Sequence, residues 1–488
     1  MRVKLLPLLW VLFPLGAAQP QTTESAQLPQ RVQQRMQQQG FPTDALAFIA
    51  YPLHHPAAAL SFQADNAMQP ASTMKLLTSV AALELLGTDY SGKTELRAAQ
   101  PAATTPSQAL VLRGVGATEF SYAQAWWLLQ QAYQAGIRHL PALWLDRSWA
   151  APARADLAAP YFDESPEAYY NLIPDALFLE RAMSLVQLKS DDHSFSAQLM
   201  PAMAGVTIQN DVRLNDQPCA LWHHSHLQFK LQRQPQGFLL QLSGDFPQHC
   251  QRQWYRQLFN RADQSRLMLQ QLWQQISGQP NLTVLEASTP PEGTAMPDTP
   301  VLLASQQDPP LAERLRSINK NSDNALTRLL FLALAQQASG NHQALAEQQV
   351  RQWLHRLQLN TDSLVLDNGS GLSRTERISP RLLARLLQHA WQAHYAPEFV
   401  SSLPLAGVDG TLKNRFKTPG LKQQARLKTG TLRNVVALAG YLKVPGQGDW
   451  VLVAMLNHPY ASYKGRPVLD ALVEDLMGHS ASNHSQSR

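Results

Sequence analysis

The stretch Met74–Leu86 is helical in composition and apolar on more than one side. A helix of that kind cannot lie on a surface, so it is expected at the centre of a packed domain. Ser72 and Lys75 stand at its N-terminal end, after Pro70, which suits a first helical turn. Positions i and i+3 share a helix face, so the Ser72 hydroxyl and the Lys75 amine should meet. A serine hydroxyl is a poor nucleophile without an adjacent base. Lysine serves as that base only when it is neutral part of the time, and burial or a neighbouring cation lowers its pKa.

Two further motifs follow in order, Ser322-Asp-Asn324 and Lys428-Thr-Gly430. Ser322 offers a second hydroxyl to relay a proton to a leaving amine. Asn324 offers an amide to hold Lys75 or a peptide substrate. Lys428 is a candidate for the neighbouring cation. Lys428, Thr429 and Gly430 read as an edge strand whose backbone can pair with an extended peptide. Gly430 lets that strand pass close to the serine. The N–H groups of Ser72 and Thr431 are then the natural oxyanion hole. Looser matches, Ser317-Ile-Asn-Lys320 and Ser339-Gly-Asn341, are separated by context. Ser317 falls near the end of a polar, amphipathic helix. Ser322 directly precedes an apolar helical run, where Ser, Asp and Asn also favour an ordinary N-cap.

A chain of 488 residues with 44% hydrophobic and 16% charged side chains is globular and long enough for two or three domains. Its formal charge of +5 comes with no Lys/Arg block, so no nucleic-acid footprint is read, although a mildly basic face suits an anionic polymer. Arg2 and Lys4, the apolar run Leu5–Leu15 and the small residues Gly16, Ala17 and Ala18 have the layout of a secretory signal peptide over residues 1–18. The alternative is a membrane anchor, for which the run is short, and no stable membrane span is expected elsewhere. In an exported chain the isolated pair Cys219 and Cys250 reads as one disulfide closing a hairpin-like unit, the alternative being two buried thiols.

Residues 19–90 are read as the first part of a catalytic domain and 91–300 as a mostly-β insertion ending in the Pro/Thr/Gly-rich loop Ser288–Pro300. Residues 301–478 are its second part, with four helices, a C-terminal hairpin and a last helix over Gly465–Met477, and 479–488 form a disordered tail. Trp222-His-His-Ser-His226 is read as a solvated turn rather than a metal site, because no carboxylate motif accompanies it. Asp163 and Glu164 are weaker candidates for substrate contact.

The three motifs together resemble those of D-alanyl-D-alanine carboxypeptidases/endopeptidases of the low-molecular-mass, class C penicillin-binding type. The separation of roughly 250 positions between Ser72 and Ser322 is similar to that family's, which carries extra domains there. Asp367-Asn-Gly-Ser-Gly-Leu-Ser-Arg374 looks like its Asp-Gly-Ser-Gly-Leu-Ser-Arg segment with Asn368 added. Leu403-Pro-Leu-Ala-Gly-Val-Asp-Gly-Thr411 and the Cys219/Cys250 pair are similar too, and the likeness is weakest between Glu95 and Ala155. The resemblance implies an α/β (α+β) fold: a penicillin-binding/serine β-lactamase-like catalytic domain, an antiparallel sheet flanked by helices, with mostly-β inserted domains. It implies that Ser72 is acylated by the penultimate D-Ala carbonyl of a peptidoglycan stem peptide, with Lys75 as base and Ser322 as proton relay. Lys428 and Thr429 would bind a carboxylate, and Arg374 a further one such as that of a diaminopimelate side chain; otherwise Arg374 is a surface arginine. β-Lactams should acylate Ser72, no cofactor or metal enters the scheme, and the location implied is periplasmic. A serine β-lactamase and a non-catalytic cell-wall binding protein are the alternatives. Oligomeric state is not legible.

Overall fold

The computed structural model describes residues 28–101, 107–150, 163–165, 167–235, 237–335 and 341–483. The expected signal peptide, residues 1–18, and Ser339 lie outside them. A central antiparallel sheet runs in the order Ala425–Leu432, Val435–Val444, Gly448–Asn457, Leu46–Pro52, Leu60–Phe62. Its middle strands read as unbroken apolar runs because both faces are covered. Gln30–Gln39 and Arg466–Asn483 contribute Val32, Met36, Leu469 and Leu472 to one face. On the other lie Met74–Leu85, Leu311–Lys320, Asn324–Ala333 and Pro380–Gln392. The expected C-terminal hairpin turns at Gly446 and Gly448, which take φ of 75° and 80°.

Met74–Leu85 is the helix the sequence demanded at the centre: every residue from Met74 to Leu83 is buried. Each of Leu76, Leu77 and Val80, fully buried, contributes about 2 kcal/mol of burial free energy. That apolar investment holds Lys75, itself fully buried, at a fixed place.

The chain leaves this body after Tyr90 and returns at Leu311, at one junction. Asp308 N–H donates to Gly92 and Leu311 N–H to Tyr90, both at 2.9 Å. Between these points lie a mixed five-stranded sheet and two three-stranded sheets around a separate core. The five-stranded sheet includes Lys93–Ala98 and Val301–Gln307, paired antiparallel. The boundary expected at residue 300 therefore falls early, because the Pro-rich loop before Val301 is an excursion within the insertion. Among its described residues the insertion also holds two α-helices, Tyr122–Gln134 and Arg261–Ser277. The second went unread because glutamines dilute its apolar face, which nonetheless buries Leu267, Met268, Leu269, Leu272 and Trp273. Val206–Asn215 is one long strand, pairing in parallel with Gly237–Pro247. Leu227–Gln234 and Gly237–Pro247 form the expected hairpin, and Cys219 and Cys250 are disulfide-bonded beside it. His224–His226 is a short turn on this unit, with the His224 ring tilted against that of Trp254 at 5.4 Å between centroids. The last helix runs to Asn483, so the expected tail begins helical: residues 479–483 contain no proline, and residues 484–488 lie outside the described ones.

Candidate active site

Ser72 sits in a tight turn, Ala71–Thr73, that leads into Met74–Leu85. Ala71 has φ of 46°, an uncommon conformation for a residue with a side chain. Side-chain hydrogen bonds on either side brace it. Thr73 Oγ1 donates to the Pro70 carbonyl at 2.7 Å. Asn457, at the end of a central strand, accepts from Gln69 N–H at 2.7 Å and donates to the Gln69 carbonyl at 3.0 Å.

Lys75 Nζ lies 3.1 Å from Ser72 Oγ, 2.6 Å from Asn324 Oδ1 and 2.5 Å from the Ser370 carbonyl. Burial lowers its pKa to about 7, against the opposing pull of Asp323 and Glu376. Lys428 Nζ lies 2.9 Å from both Ser322 Oγ and the Thr429 carbonyl. It too is fully buried, and burial followed by the Lys75 charge holds it well below the ordinary lysine range. The hydroxyls of Ser72 and Ser322 are thus each bonded to a buried amine. Ser322 takes φ of 58°, and Asp323 caps the following helix by accepting from Leu326 N–H. The N-cap at Asp323 and the contact between Ser322 and Lys428 therefore occur within one motif.

Ala425–Leu432 is an edge strand. Leu427 N–H bonds to Pro404 and the Ala425 carbonyl to Ala406, both away from the sheet. By the two-residue period of a strand, the backbone groups of Thr429 and Thr431 face that same side. The segment Leu403–Thr411 covers the strand only at its start and then reaches Thr429, whose Oγ1 lies 2.8 Å from Thr411 Oγ1. Gly430 passes so close to the serine turn that a Cβ would lie 2.7 Å from the Pro70 carbonyl oxygen.

A cleft of about 490 Å³ joins these parts, and its lining includes Ser72, Ser322, Asn324, Thr431, Asp163 and Arg374. Arg374 is exposed there. Burial raises the Asp163 pKa, but hydrogen bonds from Tyr170, Ser165 and Asn171 and the Arg374 charge outweigh it and hold the carboxyl low. Lys320 of the looser Ser317 match is elsewhere, paired with Asp409.

Several site residues escaped the sequence reading. Glu376 is fully buried and accepts from Gly369 and Gly371 N–H, both at 2.8 Å, so it folds the loop that presents the Ser370 carbonyl to Lys75. Burial pushes its carboxyl up to about 7. The signal was present in principle: a glycine-rich loop exposes N–H groups that need an acceptor, and Glu376 follows it. Tyr169, Tyr170 and Arg181 reach the Ser322 motif from the insertion and carry no local signature.

The sequence profile of the D-Ala-D-Ala carboxypeptidase 3 (S13) family matches residues 28–476. A D-alanyl-D-alanine carboxypeptidase of an Actinomadura species is 26% identical over 430 residues, covering 84% of this chain and 78% of that one. The crystal structure of penicillin binding protein 4 from Haemophilus influenzae has the same fold, with a TM-score of 0.70 at 21% identity over 92% of this chain and 98% of that one. The same protein complexed with a β-lactam gives a TM-score of 0.67 at 21% identity, over 93% and 99% of the two chains. The chain belongs to the D-Ala-D-Ala carboxypeptidase 3 (S13) family and is a serine-type peptidase of that kind.

Proposed function

We propose that this protein cleaves the D-Ala-D-Ala ends or the cross-bridges of peptidoglycan stem peptides through an acyl-enzyme at Ser72. The observation that supports this most strongly is the contact of 3.1 Å between Ser72 Oγ and a fully buried lysine amine, a burial that lowers the amine's pKa to about 7. A neutral Lys75 takes the Ser72 proton as Oγ attacks the penultimate D-Ala carbonyl. The N–H groups of Ser72 and Thr431 receive the developing oxyanion. The C–N bond then breaks, and the proton reaches the leaving amine by way of Ser322. Water hydrolyses the ester and restores Ser72. Asn324 holds Lys75 in place. Lys428 and Thr429 bind the terminal carboxylate, Gly430 keeps the strand close, and Arg374 binds a further carboxylate on the stem peptide. A carboxylate beside Lys428 favours its charged form, which in turn favours neutral Lys75.

The mature protein works outside the cytoplasm in this reading, in the periplasm. The Cys219–Cys250 disulfide supports an oxidising compartment. Among the described residues no helix is long and apolar enough to cross a membrane. β-Lactams should acylate the same serine.

The test is labelling by fluorescent penicillin together with mass spectrometry of digested muropeptides. Wild type should label, Ser72→Ala should not, and D-Ala release or cross-bridge cleavage should be lost with the label. Absence of label in wild type would favour a binding role. Rapid β-lactam turnover without muropeptide cleavage would favour a β-lactamase.

A further inference from the structure

The insertion is more than a neighbour of the Ser322 motif. Tyr169 donates its hydroxyl to Asp323 Oδ2 at 2.5 Å, and Arg181 Nη1 donates to the same oxygen at 3.2 Å. Asn324 Nδ2, in turn, donates to the Tyr170 carbonyl at 3.0 Å. Behind these contacts Leu172, Phe178 and Ala182 bury against Ala325 and Leu329 of the helix that follows the motif.

The turn that presents Arg181 is unusual. Glu180, Arg181 and Ala182 take φ of 46°, 55° and 51°, three successive side-chain-bearing residues in a conformation that L-residues avoid. Such a turn persists only where its surroundings over-determine it. Here Glu180 N–H donates to the Phe120 carbonyl at 2.8 Å, and Glu180 Oε1 accepts from Tyr122 N–H at 2.6 Å. Arg181 Nη2 donates to Glu119 Oε1 at 2.7 Å. All three partners belong to the insertion, so the insertion's own fold forces the guanidinium onto Asp323.

We propose that Arg181 is a positioning residue for the reaction: with Tyr169 it fixes Asp323, and so the adjoining Ser322 and Asn324, and its charge offsets that of Asp323 at Lys75. The inference rests on Lys75 acting as base. The charged groups around that amine are Asp323 from the helix start, Glu376 from the glycine loop and Lys428 from the edge strand. Its neutral partners are Ser72, Asn324 and the Ser370 carbonyl. Arg181 stands between Asp323 and its second counter-charge, Glu119. The Asp323 charge raises the Lys75 pKa. Without the guanidinium that charge is less compensated, Lys75 keeps its proton to higher pH, and the neutral base appears later.

The experiment measures the rate of acylation of the full chain by fluorescent penicillin across about pH 5 to 9, where flanking groups shift the base by Coulomb effects. Wild type should show a limb rising near pH 7. Arg181→Gln should be several-fold slower at neutral pH, about twofold of it from a midpoint moved up by on the order of half a pH unit and the rest from loosened Ser322 and Asn324. Arg181→Lys should keep the wild-type midpoint and recover most of the rate. Arg181→Gln following the wild-type curve would overturn the proposal. So would a loss of rate with an unmoved midpoint, equal in the Gln and Lys variants, since that marks a purely structural role. Tyr169→Phe keeps the ring and loses one hydroxyl, so it serves if Arg181→Gln fails to fold; it should acylate several-fold more slowly, and a wild-type rate would refute the clamp. Failure of the underlying reading looks different: label persisting in Ser72→Ala, or no neutral limb in wild type.

Discussion

Gly371→Ala should damage the active site far more than one methyl group would elsewhere. Gly371 has φ of 77°, where an alanine costs about 1–2 kcal/mol. The new Cβ would also lie 1.8 Å from the Ala71 carbonyl oxygen, 2.3 Å from its carbon and 2.9 Å from the Ser72 nitrogen. Atoms at those distances must separate by roughly 1 Å, and overpacking of this kind costs about 1–3 kcal/mol. The two terms sum to about 2–5 kcal/mol. The displaced atoms are the serine turn on one side and the loop that gives Lys75 its carbonyl partner on the other. A shift of 1 Å between reacting groups costs about 100-fold in rate. The assay is the second-order rate of acylation by fluorescent penicillin, with calorimetry alongside. Gly371→Ala should acylate about 100-fold more slowly and unfold at lower temperature. Gly420→Ala, which adds its Cβ in open space, should match wild type in both. A Gly371→Ala enzyme within about threefold of wild type would refute the packing argument.

Asn457→Ala removes both hydrogen bonds to Gln69 and should cost about 2 kcal/mol in urea denaturation, with a smaller loss of acylation because the turn at Ser72 keeps its Thr73 bond. Glu376 has a folded pKa raised from 4.5 to about 7, so its contribution to stability is complete below about 4.5 and is lost as pH rises towards 7. Glu376→Gln should therefore flatten the fall in stability between those pH values, measured by denaturation at several pH values. It should also slow acylation, because one glycine N–H loses its acceptor. An unchanged pH slope would show that another group carries it.

Parts of this molecule were legible because their cause is local. An apolar helix with Ser72 and Lys75 on one face, a hairpin with a glycine-bearing turn and an N-cap at Asp323 each announce themselves within a few residues. Convergence of the three motifs was readable only because their residue types and order resemble a known family's. The insertion's contribution was not readable. Tyr169 and Arg181 lie 154 and 142 positions from Asp323, and a tyrosine and an arginine in a loop carry no pattern that points across such a distance. Arg261–Ser277 was missed for a different reason: polar residues at its exposed positions conceal a face that only the tertiary core reveals.

Acylation at Ser72 requires Lys75 to lose its proton near neutrality while touching the Ser72 hydroxyl. NMR titration of the chain with isotopically labelled lysine side chains tests it most directly, with Lys75→Arg assigning the resonance. One lysine signal, absent in that variant, should titrate at about 7. A Lys75 signal that instead titrates near the ordinary value of 10.5 would contradict the account.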